Sequence, residues 1–367
     1  MDLCVDGGLW ARIESWQDRR FESDPVVWPV LIYPESNVLT HQHELSARGD
    51  AADPAARGDA ADPAAGGAAA DPAAGGAAAN PASGGAAADL ASGGARTDAG
   101  SIGVCVEVAR ERWTDSASRG LMMRRYLGED ERVEYERHNP RAQRTWLLGR
   151  IAAKDAVRRW LWGRGARAMH PVEVRITNDV QGRPMASLPR DVCLANPAAS
   201  ALSVSISHTE WVGVAVVSDT NPIGVDVEPV TPRAPRSDAF VDIALTPGEQ
   251  GLRPDGVGSD EWVALTWTAK EAVAKALGTG LQGRPRSFEV EEVTDPLSPA
   301  RRTLWVRDPD GRRWTVASTQ EGELVIAATI GQPNTASPVQ KLHPSGDGSP
   351  SYPTDRKDDH AYSCTDY

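Results

Sequence analysis

Three short stretches of the chain carry side chains suited to phosphate and metal chemistry. In Ile223-Gly224-Val225-Asp226-Val227-Glu228, residues two apart share one face of a strand, so Asp226 and Glu228 project together while Ile223, Val225 and Val227 turn to a core. Two carboxylates in one small space raise each other's pKa unless a cation lies between them, and hard oxygen ligands suit Mg2+. The same pattern also fits an ordinary exposed strand face. The second stretch, Trp267-Thr268-Ala269-Lys270-Glu271-Ala272-Val273-Ala274-Lys275-Ala276-Leu277-Gly278-Thr279-Gly280, sets Glu271 and Lys275 one helical turn apart. Alone, that pair is also a plain surface salt bridge. Lys270 adds a second cation, and Gly278 and Gly280 end the helix in a loop whose backbone can approach a ligand, which makes a phosphate and metal locus. The third, Ser203-Val204-Ser205-Ile206-Ser207-His208, ends a strand on a hydroxyl and an imidazole, both able to donate to phosphate.

The elements that must hold these residues are legible in the apolar spacing. Leu147, Leu148, Ile151, Ala152, Ala156, Val157, Trp160 and Leu161 recur at three and four, which predicts a helix over 140–162 with Pro140 in its first turn. Thr246-Pro247-Gly248-Glu249 is a capping box that starts a second helix. A third runs from Asp260 to Leu277, with acidic residues in its first turn and Gly278 past its end. Strand patterns fall at Ile102–Val106, Val172–Ile176, Val204–Ile206, Val212–Val216 and Ile223–Val227, then at Phe288–Val290, Leu304–Val306, Trp314–Val316 and Leu324–Ala328. Strands and helices in mixed order, without regular strand-helix-strand alternation, point to an α+β fold.

Outside 101–330 the chain reads differently. From Ala47 to about Asp98 a nine-residue unit of the type ARGDAADPA repeats, with Leu90 its only large apolar residue. Ala methyls bury too little to offset the entropy of ordering such a unit, so 47–100 reads as a disordered linker. Its RGD triplets follow from composition rather than from adhesion. The stretch 332–367, rich in Pro, Ser, Asp and Gly, reads as a disordered tail.

The formal net charge of −12 over 367 residues excludes a sequence-wide polyanion binder, so nucleic acid is not an expected partner. Arg124, Arg125, Arg137, Arg141, Arg158 and Arg159 nevertheless crowd 110–167 into a basic sector, although some of them belong to a solvated helix face. Cys4, Cys105, Cys193 and Cys364 lie far apart with no Cys or Cys/His metal spacing, which fits a reducing cytoplasm and suggests neither zinc nor disulfides. No leader-like N-terminus and no apolar run of about 18 residues is present, so a membrane is not expected.

Together, SISH at 205–208, GVDVE at 224–228 and WTAKEAVAKALGTGL at 267–281 resemble the phosphopantetheinyl transferases, in particular the larger monomeric class that activates peptide and polyketide synthetases. GRP at 182–184 and RTWLLGRIAAK at 144–154 support the resemblance, which covers about 101–330. It implies two similar α+β halves forming a pseudo-dimer, 101–222 and 223–331, each an antiparallel sheet against a long helix, with coenzyme A in the cleft between them. By matched position, Asp226, Glu228 and Glu271 would hold Mg2+. Lys275 and Lys270 would face the phosphates, Ser207 and His208 the 3′-phosphate, and Arg183, where the family usually has lysine, the nucleotide. Arg144, Arg150 and Lys154 are further coenzyme candidates. The implied reaction is attack of a carrier-protein serine on the β-phosphorus of coenzyme A, with 3′,5′-adenosine bisphosphate leaving and the proton passing to Glu271 or to a water on the metal. The partner would be an apo acyl or peptidyl carrier protein of a polyketide or related synthesis, drawn in by the basic sector.

Residues 1–46 read as two short strands around Gly7-Gly8 followed by WPVLIYPES, and resemble the closing strands of a polyketide synthase dehydratase domain. They carry no dehydratase catalytic residue. The rival functional readings are a catalytically silent synthase docking domain and a Mg2+-dependent phosphohydrolase.

Overall fold

The computed structural model describes residues 2–5, 8–12, 24–47, 96–97, 101–113, 115–219, 222–231, 238–294 and 301–334. In chain order the elements are β1 (Asp2–Val5), β2 (Gly8–Arg12), α1 (Trp28–Ile32), β3 (His41–Ala47), β4 (Arg96–Thr97), β5 (Ser101–Arg110), α2 (Ser116–Tyr126), α3 (Glu129–Arg137) and α4 (Pro140–Trp162). Then come β6 (Arg175–Asn178), β7 (Pro184–Ser187), α5 (Arg190–Ala195), β8 (Ser203–His208), β9 (Val212–Ser218) and β10 (Val225–Pro229). The last are α6 (Asp238–Ala244), α7 (Pro247–Gly251), α8 (Ser259–Leu277), β11 (Glu289–Thr294), β12 (Arg302–Arg307), β13 (Arg313–Glu321) and β14 (Leu324–Asn334).

Two antiparallel sheets carry the architecture, as the α+β reading expects. One is ordered β3-β5-β9-β8-β7-β6, with β4 also on β5, and the other β10-β14-β13-β12-β11. Set β3 and β4 aside and the two orders correspond strand for strand, β5 with β10 and β6 with β11. The long helices α4 and α8 each pack on one sheet. Leu147, Leu148, Ile151 and Val157 of α4 are buried in the first half's core, while Trp262, Leu265, Ala269 and Val273 of α8 are buried in the second's. A third apolar layer, including Val106, Val108, Val214, Val225, Val227 and Ile326, joins the two sheets.

A polar constellation repeats in both halves. Glu131 accepts from Gly128 N (3.0 Å), Lys154 Nζ (2.5 Å) and Ile176 N (3.2 Å), and Lys154 also donates to Tyr126 O (2.7 Å). Glu249 accepts from Thr246 N (2.7 Å), Lys270 Nζ (2.8 Å) and Val290 N (2.7 Å), and Lys270 also donates to Ala244 O (2.7 Å). In each half a buried Glu caps a short helix, receives the lysine of the long helix and binds the first strand after it. The buried charges are thus paired and further hydrogen-bonded to backbone, the condition under which such a pair is tolerated.

Several elements depart from the sequence reading. Val172 lies inside a 3-10 turn at Pro171–Glu173 and Val174 ends it, so the strand starts only at Arg175. β7 begins on Pro184, which marked a break in the sequence, because a strand's first residue can lack a ladder N–H. β3 lies within 1–46 yet pairs with β5, His41 opposite Val108 and Ala47 opposite Ile102. The first sheet therefore takes in residues that precede the nine-residue repeats. Of the linker expected over 47–100, Ala47 lies in β3 and Arg96–Thr97 form β4, and of the tail expected over 332–367, residues 332–334 belong to β14; the rest of both lies outside the described residues.

Candidate active site

Where β10 passes between β8 and α8, the three motifs meet. Gly224 makes the approach possible: a Cβ there would lie 1.8 Å from Ala272 O of α8. Gly213 does the same for β9 against α4, where a Cβ would lie 2.5 Å from Leu148 O. At the β10 edge, Val225 N donates to Ser205 Oγ (3.0 Å), so a β8 hydroxyl satisfies an edge-strand amide.

Asp226 is the centre of this junction and is buried. Its Oδ1 accepts from Ser207 Oγ (2.7 Å) and from Lys275 Nζ (2.7 Å). Its Oδ2 is buried with no hydrogen-bond partner. A buried carboxylate oxygen without a donor is costly, and a hard cation is the group that would satisfy it. Glu271 lies close by on α8. Burial pushes its carboxyl above the usual range and Asp226 adds to that, while Lys275 works against it. The strand alternation sets half-buried Glu228 on the same face as Asp226. Three carboxylates with one orphaned oxygen fit a Mg2+ ion.

A cleft of about 580 Å3 opens beside this group. The β6–β7 turn with Arg183, Ser203 to Ile206 of β8, Ile223 and Lys275 are among its walls. Arg183 Nη2 donates to Leu277 O (2.7 Å), tying the β6–β7 turn to the end of α8. Gly278 has φ +70°, and a Cβ on it would lie 1.7 Å from Arg183 Nε, so only glycine lets the arginine cross there. His208 sits at the exposed end of β8 with its ring against Gly149, whose hypothetical Cβ would lie 3.7 Å from Cδ2. Desolvation of part of the ring, then the Lys275 ammonium, hold its pKa below the ordinary value, and Arg150 acts in the same direction. Arg150 is itself buried, its guanidinium 4.4 Å over the Trp146 ring and its Nε without a partner.

The structure thus gathers Asp226, Glu271, Lys275, Ser207, His208, Arg150 and Arg183 around one junction, with Glu228 on the same strand face. Four expectations need correction. Lys270 does not face the cleft: it lies fully buried on Glu249 and Ala244 O, on the core side of α8. Lys154 is its counterpart in the first half, with a pKa pushed down to about 8 by burial against the pull of Glu131. Ser207 spends its hydroxyl proton on Asp226 and positions that carboxylate rather than meeting a phosphate. Arg144 pairs with Glu111 (3.2 Å) and stacks on Trp211 (4.5 Å), away from Asp226. In the basic sector, Arg124, Arg125, Arg137 and Arg141 are exposed, but Arg158 is fully buried on Asp155 and Arg159 pairs with Glu107.

Residues 222–329 match the family model of the 4′-phosphopantetheinyl transferase superfamily. That match covers the second half of the fold, with Asp226, Glu228, Glu271 and Lys275 inside it. A 70-residue stretch is 40% identical to the holo-[acyl-carrier-protein] synthase of Chlorobium chlorochromatii (strain CaD3), covering 19% of this chain and 58% of that protein. The chain therefore spans little more than half the length of this curated relative.

In this fold the pseudo-symmetry mate of the junction is built from other groups. IGVCVE at 102–107 aligns with IGVDVE at 223–228, which sets Cys105 against Asp226 and Glu107 against Glu228. Matching Lys154 with Lys270 sets Asp155 against Glu271 and Arg159 against Lys275. Burial, helped by Glu44 and Glu107, pushes the Cys105 thiol up to about 11, so it stays a neutral thiol. Asp155 is already filled by Leu39 N (2.9 Å), Tyr126 Oη (3.0 Å) and Arg158, and Glu107 by Thr40 Oγ1 (2.5 Å) and Arg159. The segment before β3 therefore occupies the first half's equivalent position. The repeat IGV-x-VE is the sequence signal for this mate site, and reading the motifs one at a time passes over it.

Proposed function

We propose that this protein transfers the 4′-phosphopantetheine group of coenzyme A to a serine of an apo acyl or peptidyl carrier protein, with Mg2+ as cofactor. The observation that carries the reading is Asp226: buried, held on Oδ1 by Ser207 and Lys275, orphaned on Oδ2, and next to Glu271. Asp226, Glu228 and Glu271 would hold Mg2+, which when bound would neutralise pyrophosphate charge.

The chain's own groups supply the rest. Lys275 stands at the cleft wall where negative charge grows on the leaving phosphate, and it can exchange its Asp226 contact for a phosphate oxygen. Glu271, with its raised pKa, takes the proton from the attacking serine hydroxyl. The serine oxygen forms a bond to the β-phosphorus as the bridging P–O bond breaks, and 3′,5′-adenosine bisphosphate departs with that electron pair. Arg150 and His208 would meet the 3′-phosphate and Arg183 the nucleotide. Two like halves in one chain fit the larger monomeric class, and polyketide or related synthesis is the context that class suggests. The exposed arginines of α2 to α4 give an acidic carrier protein a docking edge.

The test is release of 3′,5′-adenosine bisphosphate from coenzyme A with and without apo carrier protein. Release that requires both the carrier and Mg2+ supports transfer. Carrier-independent breakdown points to a phosphohydrolase, and no release with several carriers points to a silent docking domain.

A further inference from the structure

A second cluster of ligating side chains lies away from the cleft, at the seam between the two sheets. His41 and His43 sit two apart on β3 and so share a face with Leu45, which is buried in the apolar layer between the sheets. From the end of β13, Glu321 reaches the same spot. Its Oε1 is 3.4 Å from His41 Nε2 and its Oε2 is 2.9 Å from His43 Nε2. The two imidazoles meet edge to face, with centroids 5.1 Å apart. One ligand atom from each residue can be chosen so that all three lie within 4.8 Å of one another.

His41 Nε2, His43 Nε2 and Glu321 Oε2 are buried and face one another at ion-pair distance without a well-aligned hydrogen bond between them. Two imidazole nitrogens and a carboxylate oxygen so placed can be satisfied by one shared cation. Arg110 holds Glu321 Oε1 at 2.8 Å, which fixes the carboxylate and leaves Oε2 for a ligand.

We propose that His41, His43 and Glu321 form a site for a borderline transition-metal ion, Zn2+ above all, that clamps β3 of the first sheet to β13 of the second. Two imidazoles and one carboxylate are a ligand set for zinc, with a fourth position open to water, whereas Mg2+ and Ca2+ prefer oxygen alone. Ligand atoms on a tetrahedral zinc are about 3.3 Å apart, and Oε2, the oxygen Arg110 leaves free, stands 2.9 Å from His43 Nε2. None of the three residues lines the cleft, so the site is structural and does not depend on the transfer reaction.

Tag-free full-length protein, stripped with a chelator and dialysed, is titrated with Zn2+ by calorimetry and melted with and without the ion. His41→Asn, His43→Asn, Glu321→Gln and Asp226→Asn are compared with wild type. The proposal expects a zinc equivalent that raises the melting temperature, survives Asp226→Asn, and binds at least about tenfold more weakly in each of the other three variants. Co2+ in its place should give the visible absorption of a four-coordinate site. Chelator-treated variants melting with wild type show that folding is intact. Zinc binding unchanged in both His41→Asn and His43→Asn, or no binding near stoichiometric amounts, overturns it.

Discussion

Asp226 opposes the ionisation of Glu271 across the junction of β10 and α8. Burial and Asp226 both raise the Glu271 pKa, and a carboxyl raised in the folded state adds stability below its unfolded pKa that is lost as pH rises through its folded pKa. At neutral pH the ionised pair is a liability that the site retains for function. Glu271→Gln should therefore raise the melting temperature of the ligand-free protein by about 2–4 °C, abolish the stabilising response to Mg2+, and lower transfer by about 10²–10⁴-fold. A thermal melt over pH 5–8 beside a turnover assay reads all three. The two lysines of α8 separate in the same way. Lys270→Met should cost about 3–5 kcal/mol by leaving Glu249 buried and unpaired, yet leave the KM for coenzyme A of the folded fraction unchanged. Lys275→Ala should instead lower kcat, and, by taking the cationic partner from buried Asp226, should also lower the melting temperature of the ligand-free protein. The sequence could not tell these lysines apart, because both stand one or four residues from Glu271. Only the packing of α8 shows that Lys270 turns toward Glu249 and Lys275 toward Asp226.

At the scale of elements, α4, α7 and α8 were legible because their signals are local: apolar residues at three and four, a proline at the start, a capping box, a glycine past the end. Strands β8 to β14 were legible from alternation. The polar helices α2 and α3 were not, since SASRGLMMRRY and EDERVEYER bury few residues and show no wide apolar stripe. Nor was β3, because His41, Gln42, His43 and Glu44 hide its alternation, and its partner β5 begins more than fifty residues later. Contacts this distant leave no local trace. The element that most directly places the site is β10, through Gly224. Gly224→Ala would drive a methyl into the Ala272 carbonyl, and a cost of about 3 kcal/mol or more is expected. Chemical denaturation reads that loss, and the surviving folded fraction should bind Mg2+ more weakly because β10 is pushed off α8.

Across the whole molecule, two halves of one plan differ at the active junction. Both keep the buried Glu–Lys frame, but the first brings its own residues 39–40 onto Asp155 and Glu107 at the matching position, where the second holds Asp226, Glu228 and Glu271. Residues 24–47 are thereby part of the fold: Leu39 and Leu45 are buried, Arg158 donates to Pro34 O and Asn37 O, and β3 covers β5. A chain starting at residue 101 should consequently be insoluble or melt at least about 10 °C lower than the full chain, measured by light scattering and calorimetry. The central claim is the transfer itself. It is tested most directly by intact-mass spectrometry of an apo acyl carrier protein after incubation with this protein, coenzyme A and Mg2+, beside Glu271→Gln and a metal-free control. The account predicts a gain of one phosphopantetheine mass with the wild-type chain and Mg2+, absent from both controls. An unmodified carrier across several polyketide and peptide types, or equal modification with Glu271→Gln, would contradict it.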